Sequence, residues 1–163
     1  MVRIITDSAA DFEPFELEQL NITCIPIKVL LGEAEYEENV NLSKDQFFEL
    51  LASTGATPKT SQPSPQILID LFEEAKQAGD EAIYITLSSA LSGTYQTAAM
   101  TCEDADSDAC HVFDSRNATG GQRLLVEYAV RLRDQGKNAQ EILAGLESIR
   151  DKIVLFACID TLE

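Results

Sequence analysis

A chain of 163 residues, 45% hydrophobic and 25% charged, can bury one real core and is too apolar to stay disordered. Its formal net charge of −16, from 28 acidic against 12 basic residues, repels nucleic acid and anionic membranes, so an anionic ligand must be held by local donors against the overall field. No apolar run reaches membrane-spanning length, and Met1-Val2-Arg3-Ile4-Ile5-Thr6-Asp7 is interrupted too early for a signal peptide; a cytoplasmic protein without membrane insertion is expected.

Residues 2–6 read as a buried strand. Residues 12–20 suit a helix, with Asp11 as N-cap, Pro14 in the first turn, and Leu17 and Leu20 three apart. Residues 22–31 are rich in β-formers but contain Pro26, which predicts an edge strand or a bulge. The acidic stretch 32–41 predicts a hairpin or loop. Residues 43–52 predict a helix capped by Ser43, with Phe47, Phe48, Leu50 and Leu51 as its apolar face.

Residues 54–65, rich in Thr, Ser and Pro, predict a loop. Ser64 and Pro65 then open a helix whose apolar positions are Ile67, Leu68, Leu71, Phe72 and Ala75, and Gly79 ends it. Residues 82–86 predict a strand. The Ser-rich turn Leu87-Ser88-Ser89-Ala90-Leu91-Ser92-Gly93-Thr94 follows, and a helix over 95–101 follows the turn. The acidic residues 103–108 predict a solvated turn. Residues 110–114 form the next expected strand, 118–133 a long helix ended by Gly136, 138–149 a helix capped by Asn138, and 152–159 a last strand. Alternation of helices with continuous apolar strands predicts one α/β domain. Its sheet should be mostly parallel with helices on both faces, a Rossmann-like three-layer arrangement.

Cys24, Cys102, Cys110 and Cys158 form no C-x-x-C pair, and His111 is the one histidine. Buried reduced thiols are expected, with no metal site and no cofactor.

In an open α/β sheet, ligands bind beyond the carboxyl ends of the strands. Three polar clusters fall there: Thr6-Asp7-Ser8-Ala9-Ala10-Asp11, the Ser-rich turn, and Asp114-Ser115-Arg116-Asn117. Thr60-Ser61-Gln62-Pro63-Ser64 precedes a helix and can reach the same rim. A hydroxyl-rich turn that opens a helix offers free N–H groups to an anion. Ser92 lacks the G-x-S-x-G context of a hydrolase nucleophile, and His111 falls about 10 Å from the carboxyl rim, at the wrong end of its strand. Ser92-Gly93-Thr94 carries no lysine, which counts against a nucleotide P-loop. Asp7 and Asp114 have the right chemistry to hold Mg²⁺ for a phosphohydrolase, but position 9 is Ala, and hydrogen bonding to nearby turns is the plainer role. A small anion held by neutral donors remains, with affinity supplied by an apolar tail at about 0.8 kcal/mol per buried CH₂. An interaction domain without any ligand stays open beside it.

Thr6-Asp7-Ser8-Ala9-Ala10-Asp11, Thr60-Ser61-Gln62-Pro63-Ser64, Ser88-Ser89-Ala90-Leu91-Ser92-Gly93-Thr94-Tyr95-Gln96 and Phe113-Asp114-Ser115 resemble the DegV family in sequence and in order. The resemblance spans essentially the whole chain. It implies a bacterial carrier, without catalysis of its own, that binds a long-chain fatty acid and presents the carboxylate to a fatty-acid kinase for acyl-phosphate formation. It further implies that Thr60 and Ser92, with the Gly93 N–H beside them, bind the carboxylate, while Asp7, Ser8, Ser61, Asp114 and Ser115 support the loops. Family members are nearly twice as long. Residues 1–163 are therefore expected to be an N-terminal domain whose second domain, with further carboxylate contacts, is absent.

Overall fold

The computed structural model describes residues 1–104, 108–156 and 158. Four strands form a parallel sheet: β1 (Val2–Asp7), β2 (Ile22–Ile25), β6 (Glu81–Thr86) and β7 (Cys110–Asp114), in the order β2-β1-β6-β7. In register, Ile4 lies beside Ile83 and Ile5 beside Tyr84. Successive strand residues face opposite sides, so Ile4, Ile83, Ile85 and Phe113 build one core and Ile5, Ala82 and Tyr84 the other.

The first core is closed by α5 (Thr119–Asp134), through Leu125, Val126 and Ala129, and by α6 (Ala139–Arg150), through Ile142 and Leu146. The second is closed by α3 (Pro65–Ala78), through Leu68, Phe72 and Ala75, and by α4 (Thr94–Asp104), through Ala98. Helices thus cover both faces of a parallel sheet, the three-layer α/β fold that the alternation of elements predicts. Ser64 and Asn138 cap α3 and α6 as expected, accepting from the Gln66 and Glu141 N–H groups at 3.3 and 2.9 Å.

A second sheet is absent from the sequence reading. Pro26 has no N–H to give a ladder, and the chain leaves the parallel sheet there. The expected β segment 22–31 is therefore two strands in two sheets. β3 (Lys28–Leu31) pairs antiparallel with β4 (Ala34–Glu37), making the hairpin foreseen at 32–41. Its other neighbour is β5 (Lys59–Ser61), inside what reads as a loop, with Thr60 opposite Val29. The helix α2 (Lys44–Thr54), capped by Ser43, packs Phe47, Leu50 and Leu51 on Val29, Leu31 and Leu42, a small core of its own.

Other expectations are corrected. Asp11 does not cap α1 (Pro14–Leu20): it ends a 3-10 turn over Ser8–Ala10 in the left-handed region, at φ 60°. Glu13 caps instead, its side chain and that of Glu16 reciprocally bonding the first turn. Glu103 and Asp104 extend α4 rather than open a loop, because the helical hydrogen bonds continue past Thr101; residues 105–107 of that stretch lie outside the described residues. The last strand expected at 152–159 does not form over 153–156 or at 158. A strand needs a neighbouring ladder, and this stretch pairs with none among the described residues, with Val154 69% and Phe156 91% exposed. Residues 157 and 159 lie outside the described residues. Of the four thiols only Cys110 is buried: Cys24 and Cys102 are half-buried and Cys158 is exposed. Burial pushes the Cys24 and Cys102 thiols up to about 12, so neither is a reactive thiolate. No helix among the described residues is long and apolar enough to cross a membrane.

Candidate functional site

All four parallel strands point their carboxyl ends to one rim, and the small sheet with α2 stands over it. Between them lies a cleft of about 1100 Å³, larger than most small-molecule pockets. The small sheet side supplies Ile27, Val29, Phe47, Phe48 and Pro58, and the rim supplies Leu87 and Leu91. Phe48 and Leu91 remain 65% and 68% exposed. Such apolar surface facing an open cleft suits an apolar ligand.

Thr60, Ser92 and Gly93 all line this cleft, Thr60 from β5 and the other two from the start of α4. Ser61 lines it too; Asp7, Ser8, Asp114 and Ser115 do not. The Gly93 carbonyl accepts the first helical bond, from the Thr97 N–H at 3.0 Å, which places Gly93 at the N-cap. The Ser92 hydroxyl lies 2.9 Å from the Thr94 hydroxyl and accepts weakly from the Thr94 N–H at 3.3 Å. Among the described residues neither the Thr60 hydroxyl nor the Gly93 N–H has a hydrogen-bond partner within the protein. Both are free to meet a ligand.

Gln62, which the sequence reading passed over, joins the two sides. Its Oε1 accepts from the Thr97 hydroxyl at 2.7 Å. Its Nε2 lies so close to Gly93 that a Cβ there would sit 2.3 Å away. Glycine is needed at this position for that approach, not for backbone conformation.

The residues beneath the rim hold its turns. Asp7 ends β1 with no exposure at all. Its Oδ2 accepts from the Leu87 N–H at 2.8 Å and the Tyr84 hydroxyl at 3.3 Å, and its Oδ1 from Gln122 Nε2 at 3.0 Å. Burial pushes its carboxyl above the usual value, and the bonds from Leu87, Gln122, Tyr84 and Ala9 only partly offset that. The Ser8 hydroxyl donates to Glu38 at 2.7 Å and accepts from the Ile27 N–H at 2.9 Å, tying β1 to the chain that enters the small sheet. Ser115 donates to the Asn117 carbonyl at 2.9 Å and accepts from the Asn117 N–H at 3.0 Å.

Asp114 accepts from the N–H groups of Ser89 at 3.0 Å and Arg116 at 2.9 Å, and from the Ser89 hydroxyl. Burial acts upward on it most strongly of any single influence, but the bonds from Ser89 and Arg116 together outweigh burial and hold it below its usual 3.8. A depressed carboxyl stabilises the fold above its unfolded value and loses that contribution as pH falls through its folded value. Asp114→Asn is therefore expected to destabilise at neutral pH, with the gap to the wild type closing below 3.8. Urea midpoints across the acid range measure this; a gap constant with pH contradicts it.

The alternative of Mg²⁺ on Asp7 and Asp114 meets an obstacle. Every carboxylate oxygen of both residues already accepts a hydrogen bond from the protein. Among the described residues no group of three or more His, Cys, Asp or Glu gathers as metal ligands. His111 sits at the amino end of β7, 3.6 Å from Glu81 at the start of β6, so it is at the opposite rim from Ser92.

A profile of the DegV family, described as uncharacterised proteins, matches residues 1–163. A DegV domain-containing protein of Streptococcus pneumoniae is 30% identical over 162 residues, covering 99% of this chain and 58% of that protein. One from Lactococcus lactis is 36% identical over 152 residues, covering 90% and 53%. Among solved structures, DegV of Bacillus subtilis, described as a fatty acid binding protein, superposes with a TM-score of 0.84 at 31% identity, over 92% of this chain and 54% of that one. A Thermus thermophilus DegV family protein whose structure concerns fatty acid binding gives 0.83 at 28%, over 92% and 53%. The chain spans about half the length of these relatives.

Proposed function

We propose, since the chain belongs to the DegV family, that it binds a long-chain fatty acid and serves as a carrier in the cytoplasm, with no catalysis of its own. The acyl chain lies against Ile27, Val29, Phe47, Leu87 and Leu91. The carboxylate is held by the hydroxyls of Thr60 and Ser92 and by the Gly93 N–H. Asp7, Ser8, Ser61, Asp114 and Ser115 keep the surrounding turns in place. The carrier then presents the carboxylate to a fatty-acid kinase, which converts it to an acyl phosphate.

The observation that carries this reading is one cleft with apolar walls in which Thr60, Ser92 and Gly93 offer hydroxyl and N–H donors, with no histidine base among its lining residues. A base would be needed to make Ser92 a nucleophile. Fatty acid binding by relatives of the same fold supports the ligand class.

The experiment is retention of fatty acid by the purified 163-residue protein, read by native mass spectrometry. Each hydroxyl bonded to a carboxylate contributes about 1.5–3 kcal/mol. Thr60→Ala combined with Ser92→Ala should thus weaken retention about 100-fold or more. Retention unchanged in that double variant removes the site assignment.

A further inference from the structure

We propose that Gln62 is a further donor to the ligand's carboxylate, oriented for that task by Thr97 and therefore a determinant of selectivity for acids. The inference rests on the carboxylate reading of the cleft given above.

Gln62 stands just past the end of β5, two residues after Thr60, and lines the same cleft. A glutamine side chain has one acceptor end and one donor end. The Thr97 hydroxyl occupies the acceptor end at 2.7 Å. That bond holds the amide in place, with its NH₂ group as the unused end. No hydrogen-bond partner for this NH₂ is found among the described residues. The NH₂ lies against Gly93, where a Cβ would sit 2.3 Å from Nε2 and 3.1 Å from Cδ. With no side chain between them, the amide NH₂ and the unpartnered Gly93 N–H border the same part of the cleft.

Two carboxylate residues, Asp11 and Glu38, line the cleft, so an anion there depends on the donors it meets. Lys44 also lines it, but its ammonium is held by Asp11 at 2.8 Å and Glu13 at 2.6 Å. A carboxylate carries two oxygens and about four acceptor sites, whereas an alcohol headgroup has one oxygen. A donor set of two hydroxyls, one backbone N–H and one amide NH₂ matches the acid and is more than the alcohol can use.

Gln62→Glu tests this. The substituted side chain keeps the shape and an oxygen that accepts from Thr97, but replaces the NH₂ donor by a second carboxylate oxygen. Binding of hexadecanoate and of hexadecan-1-ol to the 163-residue protein is measured in parallel by native mass spectrometry. Hexadecanoate should weaken at least about tenfold, and the alcohol by less than about threefold. Thr97→Val, which frees the amide to turn, should weaken hexadecanoate by a smaller factor and again spare the alcohol. Equal losses for both probes would reduce Gln62 to a structural spacer, and an unchanged affinity for hexadecanoate would remove it from the site; either result overturns the proposal. A wild-type protein that binds neither probe overturns the carboxylate reading itself, which is a different result from a wild type that binds and a variant that does not respond.

Discussion

Asp7→Ala should cost about 3 kcal/mol of folding stability, a large share of the roughly 5–15 kcal/mol available to a domain. The carboxylate is fully buried and receives the Leu87 N–H, the Tyr84 hydroxyl and Gln122. Gln122 keeps the Thr6 hydroxyl at 3.1 Å as a second acceptor. Leu87 and Tyr84 lose theirs, and each buried donor left alone costs about 1–3 kcal/mol. Removing a charge that burial disfavours returns part of that sum. Asp7→Asn should cost less, because one oxygen remains. Its pH dependence separates the two causes. Burial raises the Asp7 carboxyl above 3.8 in the folded state, so its contribution is complete below 3.8 and fades as pH rises through the folded value. The stability gap between wild type and Asp7→Asn therefore widens as pH falls toward 3.8. Urea unfolding over that range measures it; a gap that narrows on acidification contradicts the account.

Gly93→Ala should behave in the opposite way, with little change in stability and a large loss of ligand. Gly93 is not in the left-handed region, so alanine fits the backbone. The new Cβ would instead sit 2.3 Å from Nε2 of Gln62. Gln62 is exposed and can swing away, which makes the folding cost small, below about 1 kcal/mol. Swinging away breaks the bond to Thr97 and places a methyl beside the N–H meant for the carboxylate. Fatty acid retention should fall more than about tenfold while the unfolding midpoint moves by only a few degrees. Loss of stability in proportion to loss of ligand would show that the glycine serves the fold and not the site.

The parallel sheet is legible from the sequence because its strands are short continuous apolar runs, as in Ala82-Ile83-Tyr84-Ile85, separated by capped amphipathic helices. The small sheet is not legible, since β5 is Lys59-Thr60-Ser61 and carries no apolar side chain. Its strand character comes from pairing with β3, a partner that local composition does not announce. The cap of α1 is legible in its spacing, since Glu13 and Glu16 stand three apart as in a capping box, although glutamate is an unusual cap. The gathering of polar clusters at one rim follows from the rule for open α/β sheets. The part played by Gln62 does not, because it depends on a contact with Thr97, 35 residues away.

The register of the central strands has a consequence for how the chain is made. β1 is synthesised well before its partner β6, which ends only at Thr86. Between them lie β3, β4, α2 and β5, which pair and pack among themselves. The small sheet closes short loops and can assemble while the chain is still emerging, whereas the central pairing must wait for a far longer one. One wall of the cleft is then in place before the floor against which it stands.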